Sequence, residues 1–389
     1  MHPAFDSRRY LIPFRSSLLP QIFTDTLVIG GGVGGLRAAI AAAEHGEVIV
    51  LAKEDAATSN TAWAQGGIAV VLDEADSFAS HVDDTLTAGA GLCDASAVRA
   101  IVEAGPERIR ELVEWGMRLD SAPGRHGPAL GREGGHHHAR IIHTDGDATG
   151  RELVRCLGER VARTAGVRIF TRCFALDLVT AGSAPGAPVM GAITHHPTHG
   201  LQMIWAKATI LASGGAGMIY RETTNPKTAT GDGLAMAYRA GATLADMAFM
   251  QFHPTTLYLA GATRALITEA VRGEGAYLID EQGDRFMLDA HPMAELAPRD
   301  VVTRGIVRRL AQRGGTHVFL DVRHIRGFAD RFPGIAQLLA KFDLDPAKDL
   351  IPVHPAAHYM VGGIVTDAAG RTDVPGLYAV GECASTGLH

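Results

Sequence analysis

Residues 25–53, DTLVIGGGVGGLRAAIAAAEHGEVIVLAK, decide how the rest of the chain reads. TLVIG is a short apolar run suited to a buried strand, LRAAIAAAEHG is an alanine-rich helix pattern that stops at Gly46, and EVIVLAK is again strand-like. Between the first strand and the helix, Gly30, Gly32 and Gly35 stand in G-x-G-x-x-G spacing. In a strand–turn–helix setting each glycine has a task. Gly30 makes the tight turn, Gly32 lets the backbone approach a pyrophosphate, and Gly35 lets helix and strand pack closely. The free N–H groups of the first helical turn then face the phosphate charge. The stretch predicts an α/β fold opening on a Rossmann-like dinucleotide site. By itself it does not choose between FAD and NAD. Where a ribose-binding acid is expected, at the end of the second strand, stands Ala52, followed by Lys53 and Glu54. That departure weakens an NAD reading.

The remaining composition narrows the function classes. The 389 residues suffice for two or three domains, and 47% hydrophobic with 20% charged residues is ordinary for a globular chain. A net charge of −6 without a basic block gives no reason to expect nucleic acid. The longest apolar run is too short to span a bilayer. Cys93, Cys156, Cys173 and Cys383 form no C-x-x-C pair, so neither a zinc knuckle nor a disulfide framework is expected, and a reducing, cytoplasmic setting fits. Residues 1–24 read as an N-terminal extension rather than a signal peptide. The run GREGGHHHARIIH, residues 131–143, invites a metal reading. Adjacent side chains diverge, however, and no cysteine or carboxylate sits at ligand spacing, so no metal is expected.

Ordered motifs then continue along the chain: SNTAWAQGGIA at 59–69, GREGGHHHARIIHTDGDATGRE at 131–152, ATILASGGAG at 208–217 and TNPKTATGDGLAMAYRAGA at 224–242. QFHPTTLY follows at 251–258, LITEAVRGEGAYLID at 266–280, ELAPRDVVTR at 295–304, HPAAHYMVGGIVTD at 354–367 and GRTDVPGLYAVGECASTGLH at 370–389. Over about residues 25–389 this series resembles the fumarate reductase and succinate dehydrogenase flavoprotein superfamily, and within it the L-aspartate oxidases. The resemblance implies a Rossmann-like FAD-binding domain over 25–246 and 358–389, interrupted by an inserted α+β capping domain over 247–357. The superfamily's C-terminal helical domain is absent from this sequence. The approach to that domain carries a second substrate arginine and flavin contacts, so the 389-residue chain is expected to bind FAD weakly and turn over poorly.

The same resemblance implies the site. FAD contacts are carried over to Gly31, Gly32, Val33 and Gly34, to Lys53, to the loop Asn60, Thr61, Ala62, Trp63, Ala64, Gln65, Gly66 and Gly67, and to Asp232 and Glu382. Some relatives attach FAD covalently through a histidine before this loop. Asn60 stands there, which implies a non-covalent flavin. Substrate contacts are carried over to His253, His358, Thr268 and Glu269, and catalytic roles to Arg299, Glu133, His253 and His358. Glu133 is similar to a glutamate of the oxidases, and an anion there suits an α-ammonium. The implied reaction is oxidation of L-aspartate to iminoaspartate with O2 or fumarate as acceptor, at the start of de novo NAD synthesis, with hand-off to quinolinate synthase. Arg299 is implied in proton transfer, yet a guanidinium stays protonated at ordinary pH. An electrostatic role therefore stays open. So do two other readings: a fumarate reductase or succinate dehydrogenase type of flavoprotein, and a non-catalytic remnant.

Overall fold

The computed structural model describes residues 10–55, 58–121, 124, 127–260 and 264–388. Its main sheet contains β1 (Gln21–Ile29), β2 (Val48–Leu51), β3 (Val167–Phe170), β4 (Phe174–Thr180), β5 (Val189–His196) and β6 (Gly200–Leu211). The order is β3-β2-β1-β6-β5-β4. The pairs among β3, β2, β1 and β6 are parallel, and β6, β5 and β4 form an antiparallel meander. Parallel strands are covered on both faces and so need unbroken apolar runs. Leu27, Val28 and Val48 to Leu51 accordingly have at most 1% exposure. The proline- and glycine-rich stretch VTAGSAPGAPVMG, read as a loop, joins β4 to β5.

Helix α1 (Val33–Ala42) follows β1 directly and packs on the sheet. Gly30 has φ +125°, a region that disfavours side chains, and a Cβ there would overlap the Ala212 carbonyl. A Cβ at Gly35 would overlap the Gly30 carbonyl oxygen, so helix and turn approach as closely as the motif requires. Further helices are α2 (Asn60–Trp63), α3 (Phe78–Ala88), α4 (Ala95–Glu114), α5 (Thr149–Ala162) and α6 (Asp232–Ala240).

A second unit has its own apolar core, from Leu257 to Val353. Its antiparallel sheet holds β7 (Met250–Leu257), β8 (Tyr277–Ile279), β9 (Val318–Asp321) and β10 (Ile351–Met360), in the order β7-β10-β9-β8. Helices α7 (Glu269–Gly273), α8 (Arg299–Arg313) and α9 (Pro333–Ala340) accompany it. Strand β11 (Leu377–Ala379) returns to the main sheet and pairs with β6. β10 runs through the expected boundary at 357/358, because its pairing with β7 extends to Met360 against Met250. Ala357 is also bridged by Thr223 of the first unit. The two units thus share a strand, and His358 sits on it.

Candidate active site

A cavity of about 500 Å³ opens at the C-terminal ends of β1 and β2, where ligands bind open α/β sheets. Gly31, Gly32, Val33, Gly34, Lys53, Asn60, Thr61, Trp63, Ala64, Asp232 and Glu382 all lie on its wall. Ala62, Gln65, Gly66 and Gly67 are not among its lining residues. The position of Gly66 is 3.8 Å from both Glu133 Oε1 and Thr268 Oγ1, measured from where a Cβ would stand, so this glycine borders both side chains. Ala52, just after β2, lies beside Gly31 on the cavity wall and offers no carboxylate. Lys53 Nζ instead donates to Thr230 Oγ1 at 2.7 Å and to Asp232 Oδ2 at 2.8 Å.

The α2 segment locks onto the glycine turn through the Val33 N–H, which donates to Thr61 Oγ1 at 3.1 Å. Asn60 Nδ2 donates to Glu382 Oε2 at 3.1 Å and to Asn225 Oδ1 at 3.3 Å. Burial pushes the Glu382 carboxyl above its ordinary range, against hydrogen bonds from Met360 N and Asn60. The glycine cradle and the cavity fit the dinucleotide that the sequence points to. Gln65 Oε1 adds a buried acceptor with no hydrogen-bond partner.

The other end of the site is built by the capping unit. Glu269 and Arg272 lie one turn apart on α7, and Arg299 begins α8. Glu269 Oε1 accepts from Arg272 Nη2 at 2.8 Å, and Glu269 Oε2 accepts from Arg299 Nε at 2.6 Å. Arg299 Nη1 also donates to Gln251 Oε1 at 3.0 Å. Burial opposes ionisation of Glu269, but the Arg299 and Arg272 charges outweigh it and hold the carboxyl below its usual range. Arg299 is pulled down by burial but raised overall by Glu269 and Glu133. Its side chain keeps 28% exposure, whereas that of Arg272 is fully enclosed.

His253 and His358 face each other with ring centroids 5.2 Å apart. His253 is fully buried, and burial, then the Arg299 charge, pushes its pKa well below the ordinary value. His358, on the cavity wall, is pushed to about 3 by the same two causes. Both rings are therefore neutral. The Thr255 N–H donates to His253 Nδ1 at 3.2 Å, which places that ring's proton on Nε2, a buried atom without a hydrogen-bond partner. Such an atom is a ready donor for a carboxylate.

Glu133 is 8% exposed and pairs with His143 Nε2 at 3.2 Å. Its neighbour Gly134 touches Glu269, since a Cβ there would overlap Glu269 Oε1. The anionic and cationic parts of the site thus adjoin. The histidine run divides its tasks. The His136 ring lies near His81, and the His137 N–H donates to Asp84 Oδ2 at 3.0 Å. Arg140, fully buried, fastens the loop to α3. It binds both oxygens of Asp76 at 2.7 Å and Asp84 Oδ2 at 2.6 Å. No group of three His, Cys, Asp or Glu able to hold a metal occurs among the described residues.

Sequence reasoning missed Arg272, Gln251, Arg140 and Thr224. Arg272 had a local signal, three residues after Glu269 on a short helix. The others depend on contacts across 48 to 134 positions.

Known proteins resemble the chain in sequence and in fold. The FAD binding domain family matches residues 25–389. An L-aspartate oxidase of Streptomyces coelicolor is 47% identical over 375 residues, covering 95% of this chain and 64% of that protein. An L-aspartate oxidase of Mycobacterium tuberculosis is 49% identical over 371 residues, covering 94% and 68%. Among solved structures, an E. coli quinol fumarate reductase superposes with a TM-score of 0.87 at 34% identity, covering 95% of this chain and 66% of that one. The chain spans about two thirds of the length of these relatives. A glycine-turn dinucleotide cavity, a two-arginine carboxylate bridge and a histidine pair beside a buried glutamate thus occur in a sequence nearly half identical to those oxidases, and the chain belongs to the L-aspartate oxidase family of FAD-binding flavoproteins.

Proposed function

We propose that this protein oxidises L-aspartate to iminoaspartate with non-covalently bound FAD, as the entry step of pyridine nucleotide synthesis. The observation that carries the reading is a site with opposite charges at adjoining positions: neutral histidine donors and Arg299 on one side, buried Glu133 on the other. An α-amino dicarboxylate presents the matching pattern. FAD, held by the Gly30–Gly35 turn, Lys53, Asn60, Thr61 and Asp232, supplies the two-electron acceptor.

The residues of this chain do the rest. His253 donates from Nε2 and His358 from its cavity side to one carboxylate, and Thr268 and Arg299 serve the other. Glu133 takes the ammonium. Orientation by these contacts supplies a large part of the rate. Arg299 remains a cation and stabilises charge developing at the substrate. Its hydrogen bond to Glu269, whose other oxygen is held by Arg272, keeps that cation oriented at the substrate. Residues 25–246 with 358–389 serve as the flavin unit and 247–357 as the cap, which shields the site between them from water.

With FAD bound, O2 or fumarate would serve as the electron acceptor, and the unstable imine would pass to quinolinate synthase. A cytoplasmic setting suits this role. Among the described residues no helix is long and apolar enough to cross a membrane. A second reading, fumarate–succinate chemistry, is favoured by the likeness to the fumarate reductase. The visible spectrum of the purified flavoprotein, mixed anaerobically with L-aspartate or with succinate, separates the two. Bleaching by L-aspartate alone supports the oxidase, and bleaching by succinate alone moves the assignment to the second reading. Acid precipitation should release the flavin into solution; flavin retained in the pellet would contradict the role given to Asn60.

A further inference from the structure

The two facing histidines owe their proton positions to different devices. At His253 the partner of Nδ1 is a backbone N–H, which can only donate, so the tautomer is set by the chain itself. At His358 the partner of Nδ1 is the Thr224 hydroxyl, 2.8 Å away. A hydroxyl can give or take a proton, so it leaves the tautomer undecided until its own polarity is settled.

Asn225 settles it. Its side-chain atom 2.7 Å from the His358 carbonyl oxygen must be the amide nitrogen, because a carbonyl only accepts. The same nitrogen approaches Thr224 Oγ1 at 3.4 Å, and the Asn225 oxygen receives Asn60 Nδ2. Asn60 in turn donates to Glu382. Thr224 Oγ1 thus accepts from Asn225, and among the described residues His358 Nδ1 is its only other hydrogen-bond partner, so the hydroxyl's single proton is directed there. The backbone holds the arrangement: Thr224 N donates to Ala357 O at 3.0 Å and Ala357 N to Glu222 O at 2.9 Å. Thr224, Asn225 and His358 all line the same cavity.

We propose that Thr224 is a positioning residue that locks His358 in the tautomer with its proton on Nε2, so that both facing imidazoles present donors to one substrate carboxylate. The opposite tautomer would turn a lone pair toward that carboxylate and repel it. The hydroxyl touches the histidine and not the substrate, and the chain Glu382–Asn60–Asn225–Thr224–His358 ties the tautomer to the flavin wall. The role for the carboxylate rests on the oxidase reading above; the tautomer itself does not.

The test uses Thr224→Val, which keeps the shape and removes the hydroxyl, and Thr224→Ser, which keeps the hydroxyl. Ring 15N shifts of histidine-labelled, ligand-free protein, with His358 identified by its loss in His358→Gln, should show Nε2 protonated in wild type and Thr224→Ser. A tautomer mixture is expected in Thr224→Val. Nδ1 protonated in wild type overturns the inference whatever the substrate proves to be. In parallel, succinate binding to the oxidised flavoprotein, followed by the perturbed flavin spectrum, should weaken about tenfold in Thr224→Val. Flavin content should be unchanged, and Thr224→Ser should be restored to within about twofold. Equal loss in both variants would mean that Thr224 acts through packing and would overturn the proposal. A wild type that L-aspartate fails to reduce, with the 15N result intact, would instead remove the oxidase reading alone.

Discussion

Replacing Glu133 with glutamine isolates the charge that distinguishes an amino dicarboxylate from a plain one. The change keeps the size and one acceptor oxygen and removes the anion. Glu133 is 8% exposed, its partner is His143 at 3.2 Å, and it borders Gly66. Two unit charges about 4 Å apart attract by about 4 kcal/mol at an effective dielectric constant of 20. Desolvating the ammonium cancels part of this, and hydrogen bonds to charged groups contribute about 1.5–3 kcal/mol net. The expected fall in kcat/KM for L-aspartate is therefore about 10- to 150-fold. For succinate the sign reverses. A dianion without an ammonium meets one negative charge fewer, so its binding should stay equal or tighten. The assay pairs anaerobic flavin reduction by L-aspartate with succinate titration of the oxidised protein, at matched thermal stability. A parallel loss for both ligands would refute the reasoning and make Glu133 a structural partner of His143. An unchanged rate with L-aspartate would refute it equally.

Three further outcomes follow from the same contacts. Gly35→Ala places a methyl onto the Gly30 carbonyl, so α1 must shift; a loss of about 1–3 kcal/mol and lower flavin stoichiometry are expected, and a variant with full flavin and unchanged melting would contradict the close packing. Arg140→Met leaves the buried Asp76 and Asp84 without their cation, which should cost about 3–5 kcal/mol in urea unfolding, with Arg140→Lys recovering only part because an ammonium cannot grip Asp76 through both oxygens; a loss under about 1 kcal/mol would show the loop anchored elsewhere. His358 and His81 titrate at about 3 and about 4 in the folded chain, both pushed down chiefly by burial, against an ordinary value of 6.5. The unfolded chain therefore takes up their protons first. The stability is complete above 6.5 and declines as pH falls toward 4 and 3, by about 1.4 kcal/mol per unit per histidine. Chemical denaturation between about pH 6.5 and 5, above most carboxylate titration, reads this directly, and His358→Gln should remove one histidine's share of the slope.

The strand, glycine turn and helix of residues 25–53 are legible in the sequence because each rests on neighbours within a few positions. The turn needs φ > 0 at Gly30, the helix needs room at Gly35, and the buried strands need unbroken apolar runs. Motif order likewise pointed to Glu133, Thr268, Glu269, Arg299 and the two histidines. Only the tertiary structure decided how they act. Glu269 and Arg272 share one helical turn, but Arg299, 30 positions later, reaches the same carboxylate only when folding brings the start of α8 to Glu269. His253 Nε2 becomes an unpartnered donor only because burial removes water from it. The Thr224 hydroxyl meets His358 across 134 positions because β10 passes from the cap into the flavin unit. Spacing reports which side chains share a turn or a face. Charge state, tautomer and partner are set by what burial excludes and by which distant backbone comes near, and those are properties of the assembled fold.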